Sequence, residues 1–236
     1  MVRILSFGGG VQTTAMILKF PERYDYVVMA DVGDEKPETI TYIERYMKPF
    51  FRKHDIRFVI VSKGISLYEH CINEKLIPTR SFRWCTEKFK IRPIRKWVRT
   101  ELKATKDNPV YQDIGFSYDE YYRADGGKND PKYLISEYPL VDNKITREEC
   151  YKIILEAGFP VPPKSGCFYC PFAKKKEWQE LKVKYPELWQ NAVKLEKNNY
   201  RYPEMLLKNK KLEDLVFDHS LDDFDDDSCD SGYCFV

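Results

Sequence analysis

The sequence predicts an α/β fold: a doubly wound, mostly parallel sheet with a small helical, cysteine-bearing C-terminal extension. Three observations carry this. Short apolar runs alternate with segments of helical spacing, the first run closes on a glycine triplet, and a Cys-x-x-Cys knuckle follows late in the chain. Strands that alternate with helices build a parallel sheet covered on both faces, with ligands at the carboxyl ends of the strands.

The first strand is Ile4 to Phe7, and Val11 to Phe20 follows with helical spacing that turns Ala15, Ile17 and Leu18 toward a core. Between them stand Gly8, Gly9 and Gly10. A strand–glycine–helix junction gathers main-chain N–H groups at the positive end of a helix dipole, a concavity suited to phosphate. Glycine permits the close approach and the positive φ that such a loop needs. Thr13 and Thr14 stand where hydroxyls add donors. A tight turn without ligand is the alternative reading. No Gly-Lys-Ser/Thr closes the loop and no G-x-G-x-x-G stagger is present, which excludes a Walker A loop and a dinucleotide fingerprint.

Ser6-Phe-Gly-Gly-Gly-Val-Gln-Thr-Thr14 resembles the PP-loop of the ATP pyrophosphatases and the related phosphoadenosine-phosphosulfate (PAPS) reductases, roughly S-x-S-G-G-x-D-S-T. Gly9 and Gly10 lie on the glycine pair, Thr13 and Thr14 on the closing hydroxyls. Gly8 replaces a serine and Gln12 an aspartate. The resemblance implies an adenine nucleotide, ATP with Mg2+, held by Ser6, Gly8, Gly9, Gly10, Gln12, Thr13 and Thr14.

Asp25 to Val32 reads as a second strand, followed by a helix opened by Pro37 and Glu38 and running to about Arg52. Arg57 to Ser62 is a third strand and Ile65 to Lys75 a third helix. Asp31-Val-Gly-Asp-Glu-Lys-Pro-Glu-Thr39 resembles the D-T-G-x-E-x-P-E-T element of the same superfamily, which implies nucleoside contacts from Asp31 and Glu35. A turn or capping carboxylate is the other reading of Asp31.

Thr79 to Arg92 holds five cations in fourteen residues, and Pro93 is expected to start a helix from Ile94 to Leu102. Phosphate or nucleic-acid contact is one reading and a solvated charged loop the other. Cys85, Lys90 and Pro93 resemble a superfamily step in which a cysteine precedes lysine and proline; Trp84 stands where cluster-bearing reductases double the cysteine. By resemblance Cys85, Lys90 and Arg92 are candidate catalytic residues. Val110 to Phe116 reads as a strand, and Ser117 to Ala124 resembles the G-x-x-x-x-E-x-x-R step, with Glu120 and Arg123 paired. A polar loop spans Asp125 to Lys132. Tyr138 to Asp142 then leads to a helix from Thr146 to Ala157, with Thr146 and Glu149 as a capping box and Gly158 as its stop.

Cys167-Phe-Tyr-Cys170 is a knuckle from which two thiolates meet one metal. Buried thiols and a metal-free redox pair are the alternatives. Its spacing from Cys85 resembles that of the cluster-bearing reductases, which implies a metal centre at Cys85, Cys167 and Cys170. A [4Fe-4S] cluster is the expectation and Zn2+ the alternative, with Cys71, Cys150 or a tail cysteine as a further ligand. Glu177 to Lys197 reads as one charged helix with Trp178, Leu181, Leu188, Trp189 and Val193 as its contacts, and Leu206 to Leu212 as a last helical turn. The acidic tail carries Cys229 and Cys234, candidate nucleophiles or sulfur carriers, although the E-C-G-L-H tail motif of the sulfonucleotide reductases is absent. The division expected is a PP-loop α/β domain over residues 1–160, a knuckle and helical extension packed on it over 161–212, and the acidic tail over 213–236.

No apolar run is long enough to span a bilayer and no signal peptide opens the chain, so a cytoplasmic protein without membrane association is expected. In that compartment seven cysteines suit thiols or metal ligands rather than a disulfide frame. Nine Asp or Glu and no Lys or Arg follow Lys211, so the first 211 residues carry about +11 against +2 for the whole chain. That body suits a polyanion, as does any lysine-rich solvated surface. The resemblance implies an ATP pyrophosphatase that adenylates an acceptor for sulfur transfer. The acceptor would be tRNA (thiolation) or DNA (phosphorothioation), with a cysteine desulfurase or another sulfur donor protein as partner. A sulfonucleotide reductase releasing sulfite and a non-catalytic nucleotide- or nucleic-acid-binding subunit are the alternatives.

Overall fold

The structure, a computed structural model, describes residues 1–124, 130–200, 206–207 and 210–215. Five parallel strands, β1 (Arg3–Ser6), β2 (Tyr26–Asp31), β3 (Arg57–Ser62), β4 (Val110–Asp113) and β5 (Leu134–Glu137), form one sheet in the order β3-β2-β1-β4-β5. β1 lies between β2 and β4, with Leu5 facing Val27 on one side and Asp113 on the other. Val27 and Val28 are fully buried, as expected of a central strand covered on both faces.

Helices wind on both faces. α1 (Val11–Lys19) and α2 (residues 37–53) pack Ala15, Ile17, Ile43 and Phe51 against Leu5 and Val27. On the opposite face Ile94 and Val98 meet Ile4, Val28 and Val110. They belong to α4 (residues 84–100), which follows α3 (Leu67–Glu74). Beyond β5 lie α5 (Pro139–Asp142), α6 (Arg147–Glu156), α7 (Lys175–Lys184) and α8 (Pro186–Lys197). The Thr146–Glu149 capping box is formed, and Gly158 follows α6 at φ 78°.

Four expectations need correction. The last helical turn expected over Leu206 to Leu212 lies at Leu212–Asp214 instead. α4 begins at Trp84, so Pro93 lies inside it rather than at its start. A widened π turn at Glu87–Ile91 precedes Pro93, and another at Ile43–Met47 precedes Pro49 in α2. A wider turn relieves the clash between a proline ring and the preceding carbonyl, which is how both helices continue. The single helix expected from Glu177 to Lys197 is two, broken at Tyr185–Pro186, because the residue before proline is driven out of the helical region. The strand read to Phe116 stops at Asp113, and β5 is an edge strand too short for its alternation to register.

The knuckle and α7–α8 do not stand apart from the sheet. Tyr169, Trp178, Trp189 and Leu195 share one apolar cluster with Val32, Leu67, Ile77 and Phe89. Leu206 and Leu212 join it, and Glu196 accepts hydrogen bonds from both of their N–H groups at 3.1 and 2.8 Å.

Candidate functional site

The strand order reverses between β1 and β4, and the crevice outside their carboxyl ends is where an open α/β sheet binds its ligand. Gly8–Gly10 lies on one side and the turn after β4 on the other. Gly9 has φ +72°, and a Cβ there would fall 2.9 Å from Ile43 Cδ1, so only glycine lets the loop lie against α2. A Cβ on Gly115 would fall 2.7 Å from Thr13 Cγ2, so that glycine lets the β4 turn close on the first turn of α1.

α1 starts from Gly10 with no side-chain cap and no acidic residue in its first turn. Its amino end keeps its positive potential. Thr13 donates its hydroxyl to Gly10 O at 3.3 Å. The Thr14 and Ser117 hydroxyls are buried and have no hydrogen-bond partner among the described residues. Gln12 donates Nε2 to Glu120 at 3.2 Å, and Glu120 pairs with Arg123 at 2.5 Å, the pairing expected from the sequence. Ser6 accepts from Gln112 across β1–β4 at 2.5 Å, which leaves its O–H as a donor.

At the end of β2, Asp31 accepts from Gly33 N–H at 2.7 Å, the turn role. Glu35 is nearly buried; one oxygen faces Lys90 Nζ at 3.6 Å and the other accepts from Gly166 N–H at 2.9 Å. The knuckle is thus hung on the loop after β2, with Lys36 N–H donating to Gly166 O at 3.3 Å and Phe168 N–H to Asp34 O at 3.1 Å. Lys36 and Lys164 clamp Glu177 at 3.0 and 2.6 Å. Burial pushes the Glu177 carboxyl up, but the two ammonium groups outweigh it and hold it below the ordinary range.

Asp34 was not singled out by the sequence. It accepts from Tyr68 N–H at 2.6 Å and the Tyr169 hydroxyl at 2.5 Å. Burial raises its pKa to about 6 against those two hydrogen bonds, with Asp31 and Glu35 adding to the rise. Its place within the Asp31–Thr39 element was the available signal.

Cys85 occupies the first turn of α4, beside the knuckle: Arg80 Nε donates to Pro171 O at 2.6 Å and Arg83 lies over Phe172 at 6.0 Å. Cys71, Cys85 and Cys167 adjoin one apolar cluster. Among the described residues, however, no three His, Cys, Asp or Glu side chains come together to hold a metal ion. Cys150 is unsuited to be a further ligand: it is buried in the α1–α2 core on the other side of the sheet, its thiol pushed up to about 12 by burial. Burial also pushes the Cys71 thiol well up. Cys229 and Cys234 lie outside the described residues.

Arg92 is two-thirds exposed and paired with Glu87 at 3.1 Å. Arg92, Arg95, Lys96, Arg99 and Tyr133 line a separate surface cavity of about 370 Å³.

No family model matches the chain. It is similar to two uncharacterized proteins of Methanocaldococcus jannaschii. MJ0973 is 25% identical over 200 residues, covering 80% of this chain and 46% of that protein. MJ0066 is 27% identical over 203 residues, covering 79% and 40%. The chain thus spans less than half the length of either relative. Among solved structures it is similar to a PAPS reductase from Candida auris, solved as a phosphate complex, with TM-score 0.45, 13% identity, and coverage of 69% of this chain and 75% of that one. No helix among the described residues is long and apolar enough to cross a membrane.

Proposed function

We propose that the crevice between β1 and β4 binds ATP with its Mg2+, and that the chain adenylates a nucleic-acid acceptor for sulfur transfer. An acceptor oxygen attacks the α-phosphorus, the bond to the bridging α–β oxygen breaks, and pyrophosphate leaves with that electron pair. A sulfur nucleophile from a donor protein such as a cysteine desulfurase then displaces AMP. The uncapped, acid-free amino end of α1 at the point of strand reversal carries this reading. Main-chain amides there, with the Thr13 and Thr14 hydroxyls, suit the charge of a departing pyrophosphate. Lys90, paired with Glu35 after β2, is the cation this reading assigns to the developing charge. No step passes through a metal cluster.

The test is pyrophosphate release from ATP with DNA, with tRNA and with neither. Release that depends on nucleic acid and disappears in Gly9→Ala is expected. Absence of pyrophosphate with every acceptor overturns the reading. Sulfite from a sulfonucleotide and a thiol reductant would reassign the crevice to reduction, and ATP binding without turnover to a non-catalytic subunit.

A further inference from the structure

Four cations recur along one face of α4, at positions 92, 95, 96 and 99, while Pro93, Ile94 and Val98 turn the opposite face into the core. With Thr100 and Tyr133 they line the 370 Å³ cavity. Among the described residues, two carboxylates oppose them: Glu87 at 3.1 Å from Arg92 and Asp130 at 3.5 Å from Arg95. The Arg99 guanidinium lies 5.6 Å from the half-buried Tyr133 ring. Four cations against two acids leave the groove positive. The Arg92–Glu87 pair is exposed to water, which weakens it, so it exchanges readily for phosphate. From Arg92 to Arg99 the helix rises about 10 Å, room for successive backbone phosphates. Lys90, in the amino half of α4, pairs at 3.6 Å with Glu35 in the loop that follows the carboxyl end of β2.

We propose that this groove holds the phosphodiester backbone of a single-stranded nucleic acid and leads it toward the crevice, a reading that rests on the nucleic-acid acceptor proposed above. Charge complementarity identifies the occupant, and Tyr133 offers a ring edge to a sugar or base. DNA and RNA present the same backbone charge.

The test follows anisotropy of labelled single-stranded DNA and RNA of one sequence across a salt series, using the full chain. Arg95→Gln/Lys96→Gln/Arg99→Gln is compared with a control of equal charge change, Lys19→Gln/Lys53→Gln/Lys152→Gln, whose exposed side chains lie on helices of the opposite sheet face. The α4 triple variant should bind about tenfold or more weakly, with a salt slope shallower by about 2. The control should bind like the wild type. Equal binding and slope in the α4 variant, or no binding by the wild type, overturns the proposal. Pyrophosphate release is read in parallel: its absence alongside a selective loss in the α4 variant would sink adenylation and leave the groove standing. Preference between the two strands tells which nucleic acid is the source.

Discussion

Gln12 departs from the PP-loop aspartate, and its surroundings give the reason. Its amide faces the carboxylate of Glu120, which is 5% exposed, and a carboxylate at position 12 would meet like charge in a buried place. Gln12→Asp is therefore expected to destabilise the fold by about 1–3 kcal/mol in urea unfolding. Gly9→Ala must place a Cβ at positive φ and against Ile43, a cost of about 1–2 kcal/mol, with loss of nucleotide binding by calorimetry. Asp34 gives a pH signature. Its folded pKa of about 6 lies above the ordinary 3.8, so its stabilising effect is present below about pH 4 and lost as pH rises through 6. Asp34→Asn stays neutral and keeps an oxygen for Tyr68 and Tyr169. Wild type should lose on the order of 2 kcal/mol relative to this variant between acid and neutral pH, read from denaturant midpoints.

At the scale of elements, the loop after β2 holds the site together. Glu35→Gln keeps an acceptor for Gly166 and should cost little. Glu35→Ala removes one partner of Lys90 and strands the Gly166 N–H, and should cost about 1–3 kcal/mol by thermal unfolding. The strands with long apolar runs were legible: Arg57–Ser62 lies where the alternation places it. So were the side-chain cap at Thr146 and the Glu120–Arg123 pair, because both are local. What escaped was non-local. β5 exists because β4 offers it an edge, and Pro93 is tolerated because the preceding turn widens.

Across the whole molecule, a buried ion network ties the two halves of the sheet. Asp113 is fully buried, bonded to Arg3 at 2.8 Å and to Arg23, and both arginines also reach Glu137 at 2.5 and 2.6 Å. Asp113→Ala should leave two guanidinium groups short of charge and cost about 3–5 kcal/mol in urea unfolding. The placement of the glycine loop at the switch point of the sheet was readable, since both follow from chain order. The groove on α4 needed the fold to bring Tyr133 beside Arg99. The cluster shared by Val32, Leu67 and Phe89 with Tyr169, Trp178 and Trp189 leaves the chain without a seam. A fragment ending at residue 160 would uncover one wall of that core to water. It should therefore come out of expression as insoluble aggregate, where a separable module would have stayed in solution.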